Sequence, residues 1–290
     1  MKVVGFSFVR NAIKFDYPVV QAICSVLPLC EEFYIAVGKS EDNTLDLICS
    51  LNSSKIHIIE TIWDNSLREG GRVLAQQTDL ALSHLPKDTT WAFYIQADEV
   101  MHEKYIPIVR EAMEKYSSVH EVEGLLFNYT HFYGSYDYIG SSRRWYRKEI
   151  RIVRPQHGLH SYKDAQGFRI SNRKLKVKPI DAFIYHYGWV KSPSYQQEKQ
   201  KYFHSLWHNE QWIKENLNTC ETEFDYSKID ALSLFEATHP KYMQEKIEQQ
   251  NWTFNFDPTK KHFSSKVRFL NFIEKYFGWR IGEYKNYKII

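Results

Sequence analysis

The segment WAFYIQADEVMHE (residues 91–103) combines an apolar run with an abrupt change to acidic residues. Its first five residues are aromatic, apolar or β-branched and predict a short buried strand, which is followed closely by Asp98 and Glu99. In open α/β sheets, ligands bind at the carboxyl ends of the strands. Two carboxylates at that edge are hard oxygen ligands that suit Mg²⁺ or Mn²⁺. The simpler interpretation is that one of these acids caps the helix predicted near residues 103–116.

The residues before this segment alternate between predicted strands and predicted helices. Short apolar runs without helical spacing indicate strands, and apolar residues at helical spacing indicate helices. The strands are expected near residues 2–9, 33–37 and 55–60, and the helices near residues 17–27 and 67–84. Such alternation predicts an α/β fold with a mainly parallel central sheet flanked by helices.

Residues 1–190 resemble the family-two glycosyltransferases of the nucleotide-diphospho-sugar transferase (GT-A) fold, a Rossmann-like fold. In that family a strand ends in an acidic signature of the form Asp-x-Asp, and here Gln96-Ala97-Asp98-Glu99 occupies it. The resemblance implies that Asp98, with Glu99, holds the metal that bridges the two phosphates of a nucleotide-sugar donor. The amide of Gln96 replaces the first acid at the donor site, which leaves one fewer charged ligand.

Further donor contacts are implied by the same resemblance. Arg10 and Asn11 follow the first strand, as a basic residue and Asn do in the family. The segment 38–45, GKSEDNTL, resembles the Gly-Ser-x-Asp-Gly-Thr turn that closes over the nucleotide, and Asp42 falls on its Asp. Arg68 and Arg72 open a helix that lies beside the donor phosphates in the family. Asp42 would equally suit an ordinary helix cap, and arginines in a first turn are commonly just solvated.

The acceptor side and the catalytic base are expected after residue 130. The segment RIVRP (151–155), followed by Gly158-Leu159-His160, resembles a family motif in which His precedes a catalytic Glu, but Ser161 stands in the place of that Glu. Asp164 is the nearest carboxylate and is therefore the predicted base, which takes the proton of the acceptor hydroxyl.

Two histidines are alternative participants. His160 is a second candidate base, because imidazole titrates near neutral pH. His186 lies in a segment, IYHYGW (184–189), that resembles a later His-Tyr-Gly motif of the family, and it is a candidate metal ligand beside Asp98. Either histidine would equally suit a structural role in which its ring is hydrogen-bonded within the core.

Charge is concentrated in one part of the chain. The 290 residues carry a formal net charge of only +3. Between residues 143 and 178, however, twelve Lys or Arg residues face two acids, Glu149 and Asp164. Such a field would attract a diphosphate donor or an anionic acceptor. A nucleic-acid surface is the weaker interpretation, because no recognisable nucleic-acid module accompanies the basic residues.

A change to polar, helix-forming sequence after Pro193 predicts a boundary between a transferase domain (1–191) and a mainly helical region (192–290). The last predicted helix carries Phe269, Phe272, Ile273, Tyr276 and Phe277 on one face, with lysines and arginines beside them. That face is expected to pack on the protein itself, on a dimer mate or on an anionic membrane surface. No run reaches about 18 apolar residues, so a cytoplasmic protein is expected, at most peripheral to the inner face of the membrane.

The sequence therefore predicts a glycosyltransferase that moves a sugar from a nucleotide-diphosphate donor to a hydroxyl of a glycan or glycolipid. Inversion at the anomeric carbon and dependence on Mn²⁺ or Mg²⁺ are expected from the resemblance. A non-catalytic carbohydrate-binding protein on a transferase scaffold is the alternative, because Gln96 and Ser161 depart from the family motifs. A third hypothesis, binding of RNA or DNA through residues 143–178, predicts strongly salt-dependent binding.

Overall fold

A computed structural model describes residues 1–64, 66–67, 70–208, 210–216 and 221–290, apart from the side chains of residues 210 and 216. The α-helices are α1 (Val19–Val26), α2 (Thr44–Cys49), α3 (Arg72–Ser83), α4 (Ile106–Tyr116), α5 (Pro193–Trp207), α6 (Glu210–Asn216), α7 (Gln244–Glu248) and α8 (Ser265–Phe277). The strands are β1 (Val3–Val9), β2 (Glu32–Gly38), β3 (Ile56–Thr61), β4 (Trp91–Tyr94), β5 (Glu99–Met101), β6 (Gly124–Tyr133), β7 (Ser135–Gly140), β8 (Lys148–Val153), β9 (Leu159–Tyr162), β10 (Gly167–Ile170), β11 (Arg173–Lys174), β12 (Lys176–Trp189), β13 (Leu232–Leu234) and β14 (Lys288–Ile289).

The first four strands form a parallel half-sheet in the order β3-β2-β1-β4. Helices or helical turns connect them along the chain, as parallel strands require. All four strands point the same way, so the residues that follow Val9 and Tyr94 emerge at the same edge of the sheet. This edge is where the sequence places the candidate ligands.

The second half of the sheet is mixed. Strand β8 runs antiparallel to both β4 and β6, whereas the long strand β12 runs parallel to β6 and antiparallel to β5. The α/β fold class predicted from the sequence is confirmed, with parallel pairing at one end of the sheet and antiparallel pairing at the other. A tight turn at Gly134, whose φ of 76° suits glycine, joins β6 to β7 and creates one of the antiparallel pairs.

Strand β4 is buried on both of its faces. In β4, Trp91 and Phe93 point into an apolar cluster with α1 and α4, while Ala92 and Tyr94 point into a second cluster with α3 and β10. Consecutive residues of a strand face opposite sides of the sheet, so a strand that is buried on both faces is apolar throughout. Burial of each large side chain contributes about 1.5–3 kcal/mol.

The region after residue 192 contributes both helices and strands. Helix α5 begins at the predicted boundary, where the Ser192 hydroxyl accepts a hydrogen bond from the Tyr195 amide. Strands β13 and β14 join the large sheet by pairing with β7 and β12. Separate folding of residues 192–290 stays a prediction. No helix in the described part of the chain is long and apolar enough to cross a membrane.

Candidate active site

A cavity of about 1100 Å³ opens at the carboxyl edge of β1 and β4. Its walls come from the ends of these strands, from the loop that precedes β8, from the end of β12, from α5 and from the segment after residue 265. Cavities of this size accommodate ligands as large as a dinucleotide or a nucleotide-sugar. Among the described residues that line it, nine are Arg or Lys and five are Asp or Glu, so the cavity favours anions.

Asp98 lies on the wall of this cavity and is held by positive charge. Its Oδ2 atom is 3.3 Å from the Lys199 Nζ atom and 3.6 Å from the His186 Nε2 atom. Burial opposes ionisation of Asp98, but the charges of Lys199 and His186 outweigh it and hold the pKa of the carboxyl well below its usual range. A Cβ atom at Gly188 would lie 2.6 Å from Asp98 Oδ2, so glycine is required for this close approach.

Glu99, the next residue, faces away from the cavity. It is fully buried, and both of its carboxylate oxygens accept hydrogen bonds from Arg151, from Nε at 2.8 Å and from Nη2 at 2.6 Å. The Tyr129 hydroxyl donates a third bond at 2.6 Å and the backbone N–H of Gln96 a fourth at 3.1 Å. The prediction that Glu99 is a metal ligand is therefore corrected: Glu99 forms a buried ion pair with Arg151, which ties β5 to β8.

Gln96 lies on the cavity wall, as predicted for a donor-site residue. Its amide nitrogen donates to the Tyr94 hydroxyl at 3.2 Å and to the Ala165 carbonyl at 3.3 Å. An amide that donates in this way links β4 to the turn that precedes β10. The residue thus positions the turn that carries Asp164.

The predicted metal ligands are not brought together. Asp98 and His186 approach each other, but Glu99 points into the sheet, and the Lys199 ammonium stands beside Asp98. Within the described residues, no group of three or more His, Cys, Asp or Glu side chains could hold a metal ion. Mg²⁺ and Mn²⁺ prefer oxygen ligands, and the one carboxylate of this set that faces the cavity is already paired with a lysine ammonium, so the set does not fit the metal that the resemblance implies.

His186 belongs to a chain of hydrogen bonds. The ring of His131 bonds through Nε2 to the Tyr146 carbonyl at 2.8 Å and through Nδ1 to His186 Nδ1 at 3.2 Å. Burial lowers the pKa of His131 to about 3, so this ring is neutral and its Nε2–H donates to the carbonyl. His131 Nδ1 then accepts from His186 Nδ1–H, which fixes the orientation of the His186 ring towards Asp98.

Asp164 lines the cavity, as expected of a catalytic base. It lies in the turn between β9 and β10, where Lys163 and Ala165 both have positive φ angles, 55° and 64°. Burial raises the pKa of its carboxyl to about 6, and its Oδ1 atom has no hydrogen-bond partner among the described residues. The group is still ionised at neutral pH, so it is able to accept a proton.

His160, the alternative base, lies elsewhere. It is part of the small three-stranded sheet of β9, β10 and β11, where it pairs with Arg169. Its Nδ1 atom is 3.0 Å from the Gly158 carbonyl, and its side chain is not part of the cavity wall. The prediction that His160 is catalytic is corrected, because its position in β9 keeps its ring in a local turn.

Sequence reasoning missed Glu149 as a site residue. This side chain projects from β8 into the cavity wall, is 8% exposed, and has an Oε2 atom without a hydrogen-bond partner in the described residues. Burial, together with the nearby carboxylates of Glu99 and Asp164, raises the pKa of Glu149 to about 8 against the opposing effect of Arg151. Its place in a basic segment, next to a strand-forming run, was the available signal.

Lys199 was also missed. The signal was helical spacing: in α5, Lys199 recurs with Tyr202, Phe203 and Leu206 at i+3, i+4 and i+7, and all four line the cavity. The sequence placed these residues in a separate region. The structure instead lays this helix against the strand ends.

The donor residues predicted before residue 70 divide into two groups. Arg10 lines the cavity, with its guanidinium 5.6 Å from the centre of the Trp63 ring and 6.0 Å from that of Tyr202. Asn11 and Asp42 do not line it. Asn11 is fully buried and accepts a hydrogen bond from the Glu41 amide at 2.8 Å, whereas Asp42 accepts from the Lys14 amide at 2.7 Å. These two predictions are corrected: both side chains join the loop after β1 to the loop after β2.

Arg68 and Arg72 are the other two predicted donor contacts. Arg72 lies exposed in the first turn of α3 and is not part of the cavity wall. The predicted donor contact at Arg68 lies outside the described residues. Gly71, just before α3, has a φ of 70°, and a Cβ atom there would lie 2.8 Å from that of Asp164.

Much of the basic segment 143–178 is paired within the protein. Glu274 of α8 forms ion pairs with Arg143, Arg147 and Arg280, and Glu283 forms further pairs with Arg147 and Arg280. These bonds attach α8 and the segment after it to the loop that precedes β8. These ion pairs build one wall of the cavity. Arg143 and Arg147 of the predicted cationic surface therefore hold two parts of the protein together.

Comparison with known proteins adds little at the level of sequence. No family model and no curated protein matches the chain. Among solved structures, TarS of S. aureus shares 13% identity over 70% of this chain and 39% of its own, with a TM-score of 0.38. A shorter form, TarS 1–349 in complex with UDP, matches over 64% of its length with a TM-score of 0.37. The chain therefore spans less than two thirds of the length of these proteins.

A third similar structure is glucosyl-3-phosphoglycerate synthase from Mycobacterium tuberculosis, in complex with Mn²⁺, UDP and phosphoglyceric acid. It shares 13% identity over 45% of this chain and 43% of its own, with a TM-score of 0.31. At these identities and TM-scores, the similarity establishes neither a shared function nor shared site residues.

Proposed function

We propose that this protein is a glycosyltransferase, which transfers a sugar from a nucleotide-diphosphate donor to a hydroxyl of a glycan or glycolipid. One observation carries the proposal: a single cavity brings together the Lys199 ammonium and a half-buried carboxyl, Asp164, with a raised pKa. Transfer needs both parts, because the leaving diphosphate must be neutralised and the attacking hydroxyl must lose a proton.

In the proposed reaction, the acceptor hydroxyl attacks the anomeric carbon of the donor sugar. A C–O bond forms to the acceptor as the bond to the diphosphate oxygen breaks, and the diphosphate leaves with that electron pair. Asp164 takes the hydroxyl proton. Its Oδ1 atom lacks a hydrogen-bond partner among the described residues, so it is available to that proton. A single displacement of this kind inverts the configuration at the anomeric carbon.

Glu149 supplies a second carboxyl in the same cavity but with a higher pKa, about 8, than that of Asp164, about 6. At neutral pH, Glu149 is mostly protonated and is a hydrogen-bond donor, whereas Asp164 is mostly ionised. Two carboxyls with separated pKa values are a common arrangement for acid and base roles. The proposal assigns the base to Asp164 and a donated hydrogen bond, to substrate, to Glu149.

The experiment is a transfer assay with a panel of nucleotide-sugars, followed by pH profiles. With Asp164 as base, kcat/KM rises with pH to a plateau above about pH 6 and falls above about pH 8, where Glu149 loses the proton that it donates, and Asp164→Asn lowers kcat about 10² to 10⁴-fold. Glu149→Gln is the matched control, because it mimics the protonated form and keeps the plateau. A rate that rises through about pH 8 in the wild type, or an active Asp164→Asn variant, would contradict the assignment. Sugar binding without turnover would favour the carbohydrate-binding alternative.

The acceptor is proposed to be attached to lipid, and α8 supports this. The apolar face of this helix does not pack on the described part of the protein: Phe269 is 63% exposed and Phe277 is 74% exposed. Other residues of the same helix, Lys266 and Leu270, line the cavity. Cationic residues beside this face favour an anionic lipid surface over a second protein chain.

Sedimentation with lipid vesicles tests this part of the proposal. We expect binding to vesicles that contain phosphatidylserine, little binding to phosphatidylcholine alone, and loss of binding in Phe269→Ser/Phe277→Ser. A double variant at exposed residues on another face, Ile62→Ser/Val119→Ser, is the control. Dimerisation of the wild type through α8, without vesicle binding, would overturn it.

A further inference from the structure

We propose that the Lys199 ammonium takes the place of a divalent metal beside Asp98, so that a nucleoside diphosphate binds in this cavity without Mg²⁺ or Mn²⁺. The inference rests on the proposed function for its ligand. It departs from the metal dependence that the sequence motifs imply. The contacts of four side chains around the end of β4 carry it.

Two of the three polar residues at the end of β4 are not available as ligands for a metal. Both oxygens of Glu99 are occupied by Arg151, with Nε–Oε2 and Nη2–Oε1 distances of 2.8 and 2.6 Å. Gln96 is an amide, and its nitrogen is fixed by two acceptors. Asp98 is left as the one carboxylate of the signature that faces the cavity, with His186 as its neighbour. Mg²⁺ is commonly held by one or two carboxylates together with substrate phosphates, but here a lysine ammonium already stands 3.3 Å from the single carboxylate that faces the cavity.

The Lys199 ammonium already neutralises the charge of Asp98. The Lys199 Nζ atom lies 3.3 Å from Asp98 Oδ2 and donates to the Gly188 carbonyl at 2.8 Å. It also lies 5.0 Å from the centre of the Tyr17 ring. Three different groups thus hold the ammonium in one position, and the Lys199 side chain is only 10% exposed. A divalent cation at Asp98 would have to approach this fixed positive charge, which repels it.

The Lys199 ammonium also has a hydrogen-bond donor for a ligand in the cavity. An ammonium group carries three N–H bonds, and Asp98 and the Gly188 carbonyl account for two of them. Lys199 lines the cavity, so the third is available to a ligand in it. Charge-assisted hydrogen bonds from lysine are a common way to hold phosphate oxygens.

The metal part of the inference is tested first, with Mn²⁺ alone. Electron paramagnetic resonance of Mn²⁺ mixed with the wild-type protein is expected to show only free ion up to about 1 mM. Binding of Mn²⁺ that Asp98→Asn abolishes would overturn the inference. This result does not depend on any nucleotide, so it stands apart from the success or failure of the proposed function.

The ligand part is tested by calorimetry with UDP, GDP, CDP and ADP, each in EDTA and each in Mn²⁺. Affinity for the diphosphate that binds is expected to agree within about twofold between the two conditions, and Lys199→Met is expected to weaken it at least about tenfold. Lys199→Arg keeps the charge and is expected to stay within about threefold of the wild type, which separates charge from folding. A tenfold gain in Mn²⁺, or an unchanged affinity in a folded Lys199→Met protein, would overturn the inference. If none of the four binds in either condition, the proposed function itself fails.

Discussion

Asp98 and Glu99 are neighbours in the chain but belong to different parts of the molecule. Asp98 faces the cavity and is paired with Lys199, which comes from α5, whereas Glu99 faces the interior and is paired with Arg151 of β8. Asp98 keeps 15% of its side chain exposed, and Glu99 keeps none. The comparison teaches that an acidic signature at a strand end does not by itself provide two ligands. The partner that each carboxylate meets decides whether it serves a site or the fold.

The largest expected effect is on the buried side of this comparison. Glu99→Gln leaves Arg151 buried without its counter-charge and should lower the free energy of unfolding by about 3–5 kcal/mol. Urea unfolding followed by circular dichroism measures it. Double substitution of Glu99 and Arg151 by Gln and Met should recover part of the loss, since no uncompensated charge remains. A loss below about 1 kcal/mol in Glu99→Gln would show that the pair is not buried as described.

A smaller effect is expected on the cavity side. Asp98→Asn should lower the free energy of unfolding by about 1–3 kcal/mol near neutral pH, because Lys199 and His186 lose a partner that water replaces in part. The pKa of Asp98 is depressed in the folded state, so its contribution is complete above its ordinary pKa of about 4 and is lost as pH falls below it. Unfolding at several pH values measures the difference between variant and wild type. A difference that grows in acid would contradict this linkage.

The smallest effect is expected at the periphery of the buried pair. Tyr129→Phe removes the hydroxyl that donates to Glu99 at 2.6 Å and should cost about 1–2 kcal/mol. Nucleotide binding should be unchanged, because the hydroxyl acts on the interior carboxylate. Unfolding and calorimetry on the same preparation measure both. A loss of nucleotide affinity without a loss of stability would place Tyr129 on the cavity side.

The sequence was informative wherever the deciding interactions are local. The apolar run at residues 91–95 correctly indicated a buried strand, because strand patterning is a property of consecutive residues, and a cavity opens at the end of that strand. It was also informative about Asp164, whose turn follows a recognisable motif and brings it into the cavity.

The rest depended on contacts between distant residues. Arg151 lies 52 residues after Glu99, and Lys199 lies 101 residues after Asp98, so neither pair follows from local pattern. One signal was available but unused: neighbouring residues in an extended chain point to opposite sides, so two consecutive acids do not both face one cavity. Which of the two does so depends on β5 pairing with β12, a contact that periodicity does not reveal.

The central claim is that the cavity beside Asp98 recognises the diphosphate of a nucleotide. Calorimetric titration of the wild-type protein, in EDTA, with each nucleoside diphosphate and then with the corresponding nucleoside tests it most directly. We predict that one diphosphate binds and that its nucleoside binds at least about tenfold more weakly, since the proposal has the Lys199 ammonium contact the phosphates. Equal affinity for the nucleoside, or no binding of any diphosphate, would contradict the claim.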